Sequence, residues 1–136
     1  QAMSLAVSPL VAEMVTGMID GGMAERIARQ TLTELGRRQD VAKGVFAGYP
    51  VRSDRAASFI WISLPAGWES NEFVVEAQRR GISVVSADHF VVNRASRPQA
   101  IRVRLCPNVG LDVLKGALEA TVAIMCSNPP LNATVI

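Results

Sequence analysis

The sequence is poor in the side chains that most often carry metal or nucleophilic chemistry. Its 136 residues hold one histidine, His89, and two cysteines, Cys106 and Cys126. That supply is too small for a zinc cluster or a disulfide framework. Aromatic residues make up 5% of the chain, so the core has to be built from Val, Ile, Leu, Ala and Met. Neither sign of charge dominates, with 14 basic residues against 12 acidic ones. They are interspersed, unlike the concentrated basic face of a nucleic-acid-binding surface. The doublets Arg37-Arg38 and Arg79-Arg80 fall near expected helix C-termini, where cations meet the dipole favourably. Long hydrophobic runs are also missing. The apolar stretch from Met3 to Ile19 is interrupted by Pro9 and Glu13 and has no basic residue ahead of it. It reads as neither a membrane span nor a secretory signal, and a cytoplasmic location is expected.

What is present suits one globular domain: 49% hydrophobic and 19% charged residues, enough for a modest core. Ser8-Pro9 marks a helix start, with Ser as N-cap and Pro at the first helical position. Leu10, Val11, Met14, Val15, Met18 and Ile19 follow at helical spacing, and Asp20-Gly21-Gly22 stops the run. A longer helix is expected from about Met23 to Phe46, with Ala24, Ile27, Ala28, Thr31, Leu35, Ala42, Val45 and Phe46 near one stripe. Strands are expected over 58–64, 82–86 and 101–105, with a short extended piece at 90–92. A helix capped by Ser70 follows the first strand, and Gly81 is its C′ residue. A final helix capped by Asn108 carries Leu111, Leu114, Leu118, Thr121, Val122 and Met125 on one face. The order predicts an α/β (α+β) two-layer sandwich, in which a three- to four-stranded sheet packs on helices and leaves its other face to a partner domain. Residues 1–22 read as a junction segment, 23–126 as the domain and 127–136 as a tail.

Few residues form a chemical constellation. Ser63, Ser83 and Ser86 lack the Gly-x-Ser-x-Gly context of a nucleophile elbow, and His89 has no spacing that pairs it with Cys106 or Cys126. The strand Ile101-Arg102-Val103-Arg104-Leu105 is different. Alternation sends Ile101, Val103 and Leu105 to one face and both arginines to the other. A guanidinium fork matches a carboxylate bidentately. The pair therefore reads either as an anion site or as a solvated strand face with Arg stems covering apolar surface.

The run from Ser58 to Ala120 resembles the C-terminal small domain of fold-type I pyridoxal-phosphate enzymes. The likeness rests on Ala57-Ser58-Phe59-Ile60-Trp61-Ile62-Ser63-Leu64-Pro65, on Glu76-Ala77-Gln78-Arg79-Arg80-Gly81-Ile82-Ser83-Val84-Val85, on Phe90, and on the arginine strand before a helix. The stretch from Pro9 to Gly22 and the Arg-rich helix up to Gly48-Tyr49 are similar to the segment joining the two domains in MocR regulators, a branch of the GntR family. The resemblance implies that Arg102 binds the α-carboxylate of an amino-acid substrate or effector. It also implies a parent with pyridoxal 5'-phosphate on a large domain, homodimeric, and touching DNA only through an N-terminal winged-helix domain outside this chain. Two departures stand out: the loop 86–90 lacks a Pro-Gly pair before Phe90, and Arg104 stands where many relatives carry a smaller or non-basic residue. Lys43 and Lys115 are the only lysines, and neither matches the Schiff-base motif. No catalytic, cofactor-binding or metal residue is therefore expected, and the chain by itself is expected to be inactive. A stand-alone small-molecule-binding or oligomerisation module is the alternative, and a Cys or Ser hydrolase a third.

Overall fold

A computed structural model describes residues 8–92, 97–105 and 108–127. Two helices open the chain, α1 (Pro9–Asp20) and α2 (Met23–Val45). Then come β1 (Val51–Ser53), β2 (Phe59–Ser63), α3 (Ser70–Arg79), β3 (Val85–Ser86), a 3-10 turn (Ala87–Phe90), β4 (Ala100–Arg104) and α4 (Leu111–Cys126). The residues divide into two compact units, the first ending at Glu34 and the second beginning at Leu35.

The first unit is helical. Pro9 occupies the first turn of α1, as its fixed φ allows, while the Ser8 hydroxyl makes no capping bond. None of the α1 residues is buried. Leu10, Met14 and Ile19 stand exposed, as do Ile27 and Leu32 on α2. The apolar stripe expected along the whole of α2 is thus buried only from Leu35 onward.

The second unit holds the sheet and the core. The strand order is β1-β2-β4-β3, with every pairing antiparallel. Ile60, Ile62, Ile101, Val103 and Leu105 face Ala42 and Phe46 of α2 and its end, Phe73 and Ala77 of α3, and Leu114, Leu118, Ile124 and Met125 of α4. The two-layer α+β sandwich expected from the element order is what forms, with four strands. β1 is the addition, three residues after Tyr49-Pro50 that pair Val51 with Ile62 and Ser53 with Ile60.

Several local details differ from expectation for identifiable reasons. Ser70 does not cap α3 but lies just inside it, buried. Its hydroxyl accepts from the Ala100 amide at 3.0 Å and donates to Gln99 Oε1 at 3.2 Å, tying the helix start to β4. At the other end Gly81 has φ 75°. The Gly81 amide donates to the Gln78 carbonyl and the Ile82 amide to the Ala77 carbonyl, the double closure of a Schellman cap. That cap takes Ile82 out of the sheet, so the strand expected over 82–86 shortens to Val85–Ser86. The 3-10 turn replaces the extended piece expected at 90–92: Ser86 Oγ accepts from the Asp88 amide at 3.2 Å and starts the turn. Asn108 does not cap α4, whose N-cap is Gly110. Val109 packs against the core and its carbonyl accepts from Arg38 Nη2 at 2.8 Å, which keeps Asn108 and Val109 out of the helix that begins at Leu111. Arg37 and Arg38 therefore lie mid-helix, not at a helix end, and Arg38 is a buried tether. Arg79 and Arg80 do close α3, both paired with Glu76.

Candidate functional site

One face of the sheet carries the buried residues of the core, and the other carries residues that are half-buried or exposed. On the open face, the register aligns Arg52 of β1 with Trp61 of β2, and Trp61 with Arg102 of β4. Directly paired residues of antiparallel strands project to the same side. Arg52, Trp61 and Arg102 therefore form one row across three strands. Phe59 and Arg104 form the next row. Burial follows the expected alternation: Ile101, Val103 and Leu105 are buried, Arg102 is half-buried and Arg104 exposed.

Two rings hold the Arg102 guanidinium. Its carbon lies 4.4 Å from the Phe90 centroid and 5.5 Å from the Phe59 centroid. Each such contact contributes about 0.5–1 kcal/mol at a partly exposed position. Phe90 in turn meets Trp61 edge-on, with centroids 5.2 Å apart and planes at 85°. The 3-10 turn is what brings Phe90 over the sheet. Its position is fixed by the Ser86 start and by Asn71 Nδ2, which donates to Asp88 Oδ2 at 3.0 Å. Among the described residues neither Arg52 nor Arg102 makes an ion pair.

Beside this row lies a cleft of about 380 Å³ lined by Arg52, Trp61, Ser63, Phe90, Pro98 and Ala100, closed by Ala87 and Val91. Arg102 stands outside the lining, at the border that Phe90 and Trp61 share with it. Arg104 instead borders a smaller opening of about 180 Å³ with Ile82, Val103, Leu114 and Leu118. The two arginines share a face, as alternation predicts, but not a cavity. Arg52 was not singled out by sequence reasoning. A three-residue strand offers no periodicity, and the only available signal was the extended bias after Tyr49-Pro50.

The other candidates disperse. His89 is exposed on the 3-10 turn. Cys126 Sγ lies 3.1 Å from the Tyr49 hydroxyl, and Cys106 falls outside the described residues. The Tyr49 pKa is raised above its ordinary 10.0, first by that contact with Cys126, then by burial and by the thiol's charge. Among the described residues no group of His, Cys, Asp and Glu could hold a metal ion. None of their helices is long and apolar enough to cross a membrane.

Comparison with solved structures finds a likeness to an archaeal alanine:glyoxylate aminotransferase, with a TM-score of 0.52 and 18% identity. The fold is aminotransferase-like. The match covers 71% of this chain and 23% of the aminotransferase. Among curated proteins, the chain is 29% identical over 116 residues to YdeF of Bacillus subtilis (strain 168), an uncharacterized HTH-type transcriptional regulator. That match covers 85% of this chain and 25% of YdeF, so the chain spans about a quarter of the length of each relative. No family model matches the chain.

The aminotransferase likeness raises the question of pyridoxal phosphate, which needs an amine placed against its aldehyde. Lys43 lies on α2 and Lys115 on α4, where it pairs with Glu119 at 3.7 Å. Neither lines the cleft. The described residues therefore fit a carboxylate at the open face and do not fit covalent attachment of that cofactor.

Proposed function

We propose that this chain is the C-terminal part of an aminotransferase-like transcriptional regulator of the MocR type, and that Arg102 holds the α-carboxylate of an amino-acid effector. The observation that carries this reading is the presentation of Arg102. Its guanidinium is stacked by Phe90 and Phe59 on the sheet face opposite the core. A planar fork oriented in this way engages a carboxylate through two parallel bonds. The likeness to YdeF supports a regulator, and the aminotransferase fold supports an amino-acid ligand. In this reading a separate large domain carries pyridoxal 5'-phosphate, an N-terminal domain contacts DNA, and the parent is a homodimer. Residues 23–126 are then the small domain, with 1–22 as junction and 127–136 as tail. The chain supplies one wall of the pocket and is inactive by itself.

The test uses the parent protein loaded with cofactor, with amino-acid binding followed as a change in cofactor absorbance. Charge-assisted hydrogen bonds contribute about 1.5–3 kcal/mol, so Arg102→Gln should raise the half-saturating amino-acid concentration about 10- to 100-fold. An unchanged titration would remove Arg102 from this role.

One observation favours the oligomerisation alternative. The apolar residues of α1 stand exposed, Leu10 at 70% and Met14 at 61%. Sedimentation of the chain with and without Met14→Glu separates the readings: self-association lost in the variant supports an interaction module.

A further inference from the structure

Arg102 accounts for only one end of an amino acid. The ligand's side chain would leave Arg102 across the Trp61–Phe90 edge contact and enter the cleft of about 380 Å³ beside it. Most of the lining is apolar or small: Trp61, Phe90, Val91, Pro98, Ala87 and Ala100. Arg52 is the one charged residue among the described lining residues. It stands two strands from Arg102 in the same register row, a backbone separation of about 10 Å. Trp61 lies between them as a floor. Among the described residues no acidic side chain lines the cleft, and Arg52 makes no ion pair. Arg52 is itself exposed on the edge strand, so its fork is free to take an anion that enters the cleft beside the apolar floor.

We infer that Arg52 recognises a second anionic group on the ligand, so that the effector is a dicarboxylic amino acid rather than a neutral one. The inference rests on the carboxylate role proposed for Arg102. Arg52 acts as a specificity residue: it engages the ω-carboxylate through its fork while Arg102 holds the α-carboxylate. Discrimination follows because a neutral isostere cannot form the charge-assisted, bidentate pair with the guanidinium fork.

Calorimetry of the cofactor-loaded parent protein at low ionic strength with L-glutamate and L-glutamine tests it. These two ligands differ at the ω-position in charge and hardly in shape. Glutamate should bind at least about tenfold tighter than glutamine. Arg52→Gln should erase that ratio by weakening glutamate alone, and Arg52→Lys, which keeps a charge without the fork, should restore part of it. Arg102→Gln should weaken both ligands alike. Equal binding of the two by the native parent protein, or a ratio that survives Arg52→Gln, would overturn the inference, and no binding of either would overturn the reading of Arg102 with it. A ratio that depends on Arg52 but ignores Arg102→Gln would leave Arg52 as an anion site and reject the role of Arg102 instead.

Discussion

Tyr49 and Cys126 illustrate how little of a side chain's chemistry is legible before folding. They lie far apart in sequence, and only the return of α4 beside the end of α2 brings the hydroxyl within 3.1 Å of the sulfur. The contact favours the neutral phenol, which is why the tyrosine pKa rises. A folded-state pKa above the unfolded one contributes stability that is complete below the ordinary value of 10.0 and is lost as pH rises through the folded value. Because the chain has one tyrosine, tyrosinate absorbance reports on Tyr49 alone. In the native chain it should appear at higher pH than in Cys126→Ala. Coincident curves would show that the sulfur has no such influence. At the same scale, Arg102 was identifiable from strand alternation and from the family resemblance, whereas its aromatic seat was not. Phe90 reaches Arg102 through a 3-10 turn that depends on one serine hydroxyl and carries no periodic pattern.

Among the elements, those with long apolar periodicity were legible and those closed by hydrogen bonds at their ends were not. The bounds of α1, α2 and β2 follow from spacing and from Pro or Gly at the ends. β3 was overestimated because Val84 and Val85 read as strand, while the cap at Gly81 had already committed Ile82 elsewhere. α4 was placed too early because Asn108 is a good N-cap by type, yet Val109 is held by Arg38. The start of α3 shows what such ties contribute. Ser70 Oγ is buried and is the acceptor for the Ala100 amide. Ser70→Ala leaves that amide without its partner beside the sheet, at a cost of about 1–3 kcal/mol. The denaturation midpoint should fall while the slope stays constant. A variant as stable as the native chain would mean that water replaces the hydroxyl.

The molecule as a whole divides its stability unevenly. The unit from Leu35 onward contains the hydrophobic cluster, with Phe73 fully buried against Trp68 at 5.2 Å. Trp68 follows a turn in which Gly67, at φ 95°, accepts the left-handed backbone that its third position requires. Phe73→Ala should cost about 3–5 kcal/mol. Val11→Ala, on a helix with no buried residue, should change stability by less than about 0.5 kcal/mol. Amide exchange should follow the same division, with α1 losing its protons well before β2 and β4. Equal protection of α1 and the central strands would contradict this partition. The core was partly legible: the buried aliphatic residues of β4 and most of those of α4 were the ones expected from alternation and helical spacing, whereas Phe46, Trp68 and Phe73 add aromatic rings to a core expected to be aliphatic. Ile124 also joins the core, and the outer stripe of α2 before Leu35 does not.

The row of Arg52, Trp61 and Arg102 is drawn from three strands, one of them distant in sequence from the other two. The unfolded polypeptide has no equivalent of it. A ligand that engages the row therefore binds the native state only, and by mass action it deepens that state by about 2.7 kcal/mol at a hundredfold excess over its dissociation constant. Resistance to proteolysis would then track ligand supply. In a cell, the lifetime of the chain would itself record whether such a ligand was abundant.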